Sequence, residues 1–166
     1  MDRERFERQL AFILEVDKEK NILRQTHLSG NGRQENDAEH AWHMAIMSYL
    51  LREYANEEDD IAHVMLMCLI HDLGEAFTGD IPAFDKTQAD VDAEDSAFDA
   101  WVQTLPEGTK EEFSSLLAEM NALETLEARI YKALDKMEAV IQHDESDIST
   151  WIPLEYDLQL RYGAEN

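Results

Sequence analysis

The run IAHVMLMCLIHDLGEAF at 61–77 constrains the fold of this 166-residue chain more than any other feature. It is apolar nearly all round, so a helix formed by it belongs in the centre of a core. His71 and Asp72 stand inside this run, where burying an unpaired charge would be expensive. The run therefore predicts a central helix, starting near residue 59 or 60 and ending by Gly79, whose two polar residues need partners elsewhere.

Helical periodicity extends through most of the remaining sequence. Only 3 Pro and 6 Gly interrupt the chain, and apolar residues recur at intervals of three and four. Asn36 can cap the second helix, because Glu39 stands three residues on. We predict further helices at about 3–16, 36–55, 91–104, 109–121, 123–143 and 153–161, with loops at 28–37 and over about ten residues after Gly79. The expected fold is all-α and compact, with residues 1–166 in a single domain.

The same spacing predicts which side chains pack together. The first helix places Phe6, Leu10, Ile13 and Leu14 on one apolar face. Further core residues are expected where large apolar side chains fall at helical spacing, namely Trp42, Met44, Met47, Met65 and Met67. Three histidines stand in polar or helix-end contexts and are expected at the surface, namely His27, His63 and His143.

The charge balance excludes some partners. The chain has 37 acidic and 14 basic side chains, for a formal net charge of −23. This charge disfavours binding to nucleic acid or to an anionic membrane surface. Acidic runs at 56–60 and 90–95 are typical of a solvated surface. An anionic substrate would also be repelled, unless a metal ion or an arginine reverses the potential locally.

Cysteine usage and the N-terminal sequence indicate a compartment. Cys68 is the only cysteine, so it has no partner for an intrachain disulfide and is expected to pack as a small hydrophobe. No apolar stretch approaches the roughly 20 residues of a transmembrane helix, and MDRERFERQ has charges where a signal peptide is hydrophobic. We expect a cytoplasmic protein.

Four residues are candidate metal ligands. Neutral imidazole and carboxylate suit a first-row divalent cation, so His71 and Asp72 can share one. Two further polar residues are flanked by apolar helical positions: His40, one turn into the second helix, and Asp135, beside the apolar stripe of IYKALDKMEAVI. We expect the second, third and penultimate helices to meet at this site.

The order His, His-Asp, Asp resembles the HD superfamily of metal-dependent phosphohydrolases. The runs RQENDAEHAWHMAIM, LMCLIHDLGEAFTGDIPAFDK and LEARIYKALDKMEAVIQ are similar to its branch containing bacterial 5'-deoxynucleotidase and the eukaryotic HD-domain relatives. The resemblance covers about residues 20–145. It implies a helical HD-domain fold and one divalent metal ion per chain, whether Mn, Co, Mg, Zn, Fe or Ni, held by His40, His71, Asp72 and Asp135.

The resemblance also implies roles for residues around the metal. Glu75 and Asp80 are associated with the attacking water and the leaving group. Arg24 matches an arginine that contacts the substrate phosphate, and Arg33 is the alternative. On a helix Glu75 lies one turn from the His-Asp pair, where it can orient a water molecule or accept its proton.

Simpler structural roles stay open for three residues near the predicted site. Glu75 can instead support a ligand histidine. Asp80 can instead cap the turn at Gly79. His43, one turn after His40, is expected behind the ligands or in the core.

These residues together predict a hydrolase for phosphate esters. The expected substrate is a nucleoside or deoxynucleoside 5'-monophosphate, as in a 5'-nucleotidase. Two alternatives stay open: a pyrophosphohydrolase or phosphodiesterase of the HD type acting on another nucleotide, and a module that binds metal and nucleotide without catalysis. We expect a homodimer, since homodimers are common among relatives.

Overall fold

Helices follow one another along nearly the whole chain, as the apolar spacing predicts. The computed structural model describes residues 2–30, 32–55, 59–82 and 84–164. The helices are α1 (Arg3–Val16), α2 (Asp37–Leu51), α3 (Ile61–Ile70), α4 (Glu75–Thr78), α5 (Gln88–Val102), α6 (Thr109–Ala122), α7 (Leu126–Asp144) and α8 (Glu155–Leu158). Short 3-10 turns cover Asp17–Asn21, Arg52–Tyr54 and Ile148–Thr150. The predicted all-α fold class is confirmed.

Side-chain caps set the helix boundaries. The predicted capping box of α2 is present: Asn36 Oδ1 accepts from the Glu39 amide at 3.0 Å, and Glu39 Oε2 accepts from the Asn36 amide at 3.1 Å. Thr87 caps α5, which therefore begins at residue 88 instead of 91. Thr125 caps α7, which begins at residue 126 instead of 123. These hydroxyls satisfy amides that the first helical turn leaves unpaired.

The central apolar run is not one continuous helix. α3 ends at Ile70, residues 71–74 form a turn, and α4 follows. The prediction of an unbroken helix up to Gly79 was wrong. Hydrogen bonds between residues three apart tighten the turn, including the Glu75 amide to the Asp72 carbonyl at 2.8 Å. His71 and Asp72 therefore lie just past the end of α3.

Gly74 allows close packing against this turn. A Cβ atom at Gly74 would lie 2.8 Å from Cγ of Glu94 and 3.4 Å from Cβ of Phe98. Real Cβ atoms do not approach other atoms as closely as the first distance, so a glycine is needed for α5 to pack there. The turn at residues 71–74 therefore packs closely against α5, a contact that the apolar pattern does not indicate.

A small antiparallel hairpin precedes α2. Its strands are β1 (Leu23–His27) and β2 (Gln34–Asn36), joined across residues that were predicted to form a loop. The apolar periodicity gave no sign of it, because the strands consist mostly of polar residues. The hairpin carries Arg24 and leads directly into Asp37, the first residue of α2.

One hydrophobic cluster joins the helices. Met44 and Met47 of α2, Met67 of α3 and Leu134 of α7 are buried in it. Cys68 is also buried there, as expected. The buried methionines confirm the predicted inner faces of α2 and α3, and these helices bring the candidate ligands towards α7.

Several predicted burial assignments differ from the structure. Trp42 is 62% exposed, because the inner face of α2 is formed by the methionines and alanines instead. In α1 the buried residue is Phe12, which stacks on Trp101 with ring centroids 3.8 Å apart. The predicted apolar face of α1 stays largely in solvent, with at least 40% exposure for each of Phe6, Leu10, Ile13 and Leu14.

One described stretch, residues 61–78, has the length and mean hydropathy of a weak membrane-span candidate. The expectation that no stretch comes near this length therefore needs correction. The turn at residues 71–74 breaks the stretch, and Val64 and Met67 within it are fully buried in the main core. In this fold it is a core segment.

Candidate active site

The four predicted metal ligands come together although they are far apart in sequence. His71 Nε2 lies 3.0 Å from Asp72 Oδ2 and 3.8 Å from Asp135 Oδ1. His40 Nε2 lies 3.3 Å from the same Asp135 oxygen. Ligand atoms bound at about 2.0–2.2 Å to one ion are necessarily only a few ångströms apart. These separations therefore suit a single cation between α2, α7 and the turn after α3.

Both histidines turn the same nitrogen towards this centre. His71 Nδ1 donates to the Cys68 carbonyl at 2.9 Å, since a carbonyl can only accept. His40 Nδ1 donates to Glu138 Oε2 at 2.6 Å. Each Nε2 is thus the nitrogen that faces the carboxylates. His71 Nε2 is buried, and although Asp72 Oδ2 lies 3.0 Å away, the angles do not make a hydrogen bond with it or with any other described residue. A bound divalent cation would satisfy it, so the donor set fits a metal ion.

Glu138 is a functional candidate that sequence reasoning missed. Its side chain is fully buried, and its two oxygens accept from His40 Nδ1 at 2.6 Å and from His43 Nδ1 at 2.7 Å. His43 therefore lies behind the ligands, as expected. A carboxylate that orients a ligand histidine raises its basicity. The available signal was the spacing from Asp135, because residues three apart share a helix face.

The titration of His40 reflects this environment in the metal-free protein. Burial opposes its protonation, but hydrogen bonds to Asp135 and Glu138 outweigh burial and raise the pKa of His40 to about 9. Burial likewise opposes ionisation of Asp72, whereas His71 and Arg24 hold the pKa of Asp72 below its usual range. Asp72 is therefore ionised, whereas a cation binding to His40 would compete with a proton.

Arg24 lies at the edge of the ligand set. Its Nη1 donates to Asp72 Oδ2 at 3.0 Å and lies 3.7 Å from Asp37 Oδ1. The alternative, Arg33, occupies a more exposed position, where its Nη1 donates to Glu39 Oε2 at 2.9 Å. Arg24 is thus the arginine that the fold brings to a ligand carboxylate.

Glu75 lies in a buried, strongly acidic environment. It begins α4, and Lys86 Nζ donates to its Oε1 at 3.3 Å, while its buried Oε2 has no hydrogen-bond partner among the described residues. Burial, followed by the charges of Asp72 and Asp37, raises the pKa of Glu75 to about 10 in the metal-free protein. Glu75 therefore has an unpaired buried oxygen, and one of its carboxylate oxygens lies within 4.8 Å of those of Asp37 and Asp72.

Asp37 is a second acidic residue that sequence reasoning missed. It is fully buried at the start of α2, and neither carboxylate oxygen has a hydrogen-bond partner within the described part of the chain. Burial and the nearby Asp72 raise the pKa of Asp37 to about 8. Asp37 stands at the predicted start of α2, but its position opposite Arg24 depends on the hairpin that carries this arginine.

Asp80 and Lys132 complete the surroundings. Asp80 lines a cleft together with Arg24, and burial raises its pKa despite the opposing charge of that arginine. Lys132 Nζ donates to Asp135 Oδ2 at 2.7 Å. In the sequence, only the position of Lys132 three residues before Asp135 on α7 indicated this contact. The site therefore combines ligand carboxylates with cationic side chains that partly offset them.

Comparison with known proteins places this geometry in a family. A family model described as HD domain matches residues 16–166. Human 5'-deoxynucleotidase HDDC2 is 28% identical over 115 residues, which cover 68% of this chain and 55% of that protein. The chain thus spans about half the length of the curated relatives it matches.

Two solved structures resemble the whole chain. A predicted metal-dependent phosphohydrolase from Magnetospirillum magnetotacticum has a TM-score of 0.84 and 38% identity, covering 98% of this chain and 89% of that one. A conserved hypothetical protein from Pyrococcus furiosus has a TM-score of 0.68 and 31% identity, covering 94% and 97%. The resemblance inferred from the motifs is confirmed: the chain belongs to the HD domain family.

Proposed function

We propose that this chain is a divalent-metal-dependent phosphomonoesterase that hydrolyses nucleoside or deoxynucleoside 5'-monophosphates to nucleoside and phosphate. The observation that carries the proposal is the convergence of two inward-facing histidines and two ionised carboxylates, with Arg24 beside them. Support also comes from relatives named 5'-deoxynucleotidase and from a similar structure described as a metal-dependent phosphohydrolase.

The residues suit displacement at phosphorus. His40, His71, Asp72 and Asp135 would hold a divalent cation, whose charge would stabilise a phosphoryl group during attack. Glu75 can orient a water molecule with its unpartnered oxygen and accept a proton. Glu75 would be ionised more readily beside such a cation, because a positive charge lowers the pKa that the neighbouring carboxylates raise.

Arg24 gives the site its affinity for the phosphate. The guanidinium is only 15% exposed and is already held among carboxylates, so it is positioned before substrate arrives. Its fork of donors can bind two phosphoryl oxygens. Asp80 borders the same cleft, where a carboxyl group can serve the leaving oxygen of the ester.

A metal and substrate matrix tests the proposal. The protein is stripped with chelator, reloaded separately with Mn²⁺, Co²⁺, Mg²⁺ or Zn²⁺, and assayed for phosphate release from ribonucleoside and deoxyribonucleoside 5'-monophosphates. We expect turnover with at least one metal and none without. Absence of turnover with every metal refutes the phosphomonoesterase. Cleavage confined to cyclic nucleotides or to pyrophosphate bonds replaces it with the corresponding HD-type activity.

A matched pair of variants tests the metal site itself. Asp72→Asn removes a ligand charge, so bound metal and turnover should both be lost. Asp92→Asn makes the same chemical change on the exposed face of α5 and should retain both. Metal content is measured by elemental analysis after dialysis, and full retention in the Asp72 variant shows that the site is elsewhere.

A further inference from the structure

A cleft begins at the candidate active site and runs to the C-terminal segment, residues 151–164. Arg24 and Asp80 line the cleft near the ligands, and Arg24 Nη1 is 3.0 Å from the ligand Asp72. The cleft has a cavity volume of about 130 Å³ and opens to solvent at its mouth. If Arg24 binds the phosphate, the rest of the ester can extend into this cleft.

The C-terminal segment is fixed against α7, although it lies beyond the motifs. Trp151 packs on the ring of His143 with centroids 4.2 Å apart, and its Nε1 donates to Ser146 Oγ at 3.3 Å. Gln159 Nε2 donates to the Val140 carbonyl at 2.7 Å. These contacts position the segment along one side of the cleft.

His143 has a different position from the surface location that its sequence context predicted. Trp151 and Glu155 cover it, leaving its side chain 7% exposed. Its Nε2 is buried in the cleft wall without a hydrogen-bond partner among the described residues. Glu155 Oε2 lies 3.4 Å away and accepts from the Ile152 amide at 2.6 Å. An unpartnered buried nitrogen is costly. The cleft wall therefore contains a polar pair among otherwise apolar side chains.

The remaining lining is largely apolar. Phe84 contributes one aromatic side chain and Leu158 of α8 an aliphatic one, with Pro82, Ala139 and Tyr162 beside them. A planar heterocycle combines apolar faces with hydrogen-bonding edges, which is what such walls recognise. A bare sugar has no comparable apolar face. The composition of the cleft thus favours a nucleobase over a simple sugar as its occupant.

We propose that this cleft is a nucleobase subsite, in which the C-terminal segment gives the enzyme its preference for nucleotides over other phosphate monoesters. The inference rests on the proposed function and adds the part of the substrate that lies away from phosphorus. The base would pack against Phe84 and Leu158, with the His143 and Glu155 pair at its edge.

The test compares two esters that differ only in the base. A deoxynucleoside 5'-monophosphate and 2-deoxyribose 5-phosphate share the sugar and phosphate, so the ratio of their kcat/KM values measures the contribution of the base. Phe84→Ala and Leu158→Ala should each reduce this ratio roughly tenfold, since each removes apolar contact area. Leu160→Ala is the control, because Leu160 belongs to the same segment but is 87% exposed, and it should leave the ratio unchanged.

Failure of the subsite differs from failure of the proposed function. If both esters are hydrolysed but the wild-type protein does not prefer the nucleotide, or if both cleft variants keep the wild-type ratio, the subsite is refuted. If no ester is hydrolysed, equilibrium dialysis with the unphosphorylated deoxynucleoside decides instead. Binding weakened at least fivefold by Phe84→Ala and Leu158→Ala supports the subsite, and absence of binding to the wild-type protein overturns it.

Discussion

Replacing Glu138 by Gln should weaken metal binding in a pH-dependent way. The carboxylate accepts hydrogen bonds from His40 and His43 and is fully buried. Gln has nearly the same shape but no charge, and its amide nitrogen cannot accept from either Nδ1–H. The variant therefore removes the group that orients a ligand histidine without leaving a cavity.

Two opposing effects set the magnitude. A charge-assisted hydrogen bond is worth about 1 kcal/mol more than a neutral one, and loss of such a partner typically costs about 10- to 100-fold in metal affinity. However, Glu138 also helps raise the pKa of His40 to about 9. At pH 7 the proton on His40 therefore reduces the apparent metal affinity of the wild-type protein by up to about 100-fold. Gln at position 138 relieves part of this competition.

The pH dependence separates the two effects. Competition disappears as the pH approaches 9, so the loss of orientation should then be fully visible. We expect the ratio of metal dissociation constants, variant over wild type, to rise from pH 6.5 towards about 10 to 100 at pH 8.5. Calorimetric titration of the chelator-stripped proteins with Co²⁺ measures this ratio, and buffers of different ionisation enthalpy report the number of protons released.

Glu119→Gln is the matched control for this experiment. Glu119 also binds a histidine, with His63 Nε2 at 2.9 Å from its Oε2, but this pair lies between α3 and α6 and contains no candidate ligand. It should bind metal like the wild-type protein at every pH. A folded Glu138→Gln variant whose affinity equals that of the wild type across the pH range would refute the positioning role, and a weakening without pH dependence would refute the proton competition.

Three further changes test other parts of the structure. Arg24→Lys should raise the KM for a monophosphate about tenfold, because a point charge replaces a two-pronged donor; an unchanged KM would exclude Arg24 as the phosphate contact. Gly74→Ala should lower the melting temperature by several degrees, since its Cβ would lie 2.8 Å from Glu94 Cγ, and calorimetry checks this. Buried Glu19 has a pKa raised from 4.5 to about 8, chiefly by burial. Because the folded-state pKa of this acid is raised, the protein loses stability as the pH rises from about 4.5 to 8. Glu19→Gln should therefore raise the free energy of unfolding of the metal-free protein by about 1–3 kcal/mol at pH 8 and change it little at pH 5.

The four candidate ligands could be proposed from sequence because burying an unpaired charge is energetically costly. A His-Asp pair within an apolar run needs compensation wherever the run is buried. His40 and Asp135 could be found by the same reasoning, and the family resemblance supplied their order. The four residues do come together, although His71 and Asp72 lie in a turn that helical periodicity could not reveal.

The missed features depend on contacts between distant segments. The spacing of Glu138 from Asp135 shows only that both share a face of α7, whereas its contact with His40 depends on the packing of α2 on α7. The burial of His143 depends on Trp151 and Glu155, which follow it at the end of the chain. Short polar strands such as β1 have no periodic signal, since their partner supplies their hydrogen bonds. The local sequence pattern thus predicts helices and shows which buried polar groups need partners. Which residues become those partners depends on the fold.

The charge of the site constrains the order in which ligands can bind. Asp37, Asp72 and Glu75 bring carboxylate oxygens within 4.8 Å of one another. Asp135 Oδ1 lies 3.8 Å from His71 Nε2, and Arg24 donates to Asp72. An anionic phosphate entering this environment without a cation meets repulsion from carboxylates in a chain of net charge −23. A divalent cation held by Asp72 would offset this charge and weaken the hold of that carboxylate on Arg24, which could then bind phosphate. The proposed function therefore predicts that the metal binds before the phosphate ester.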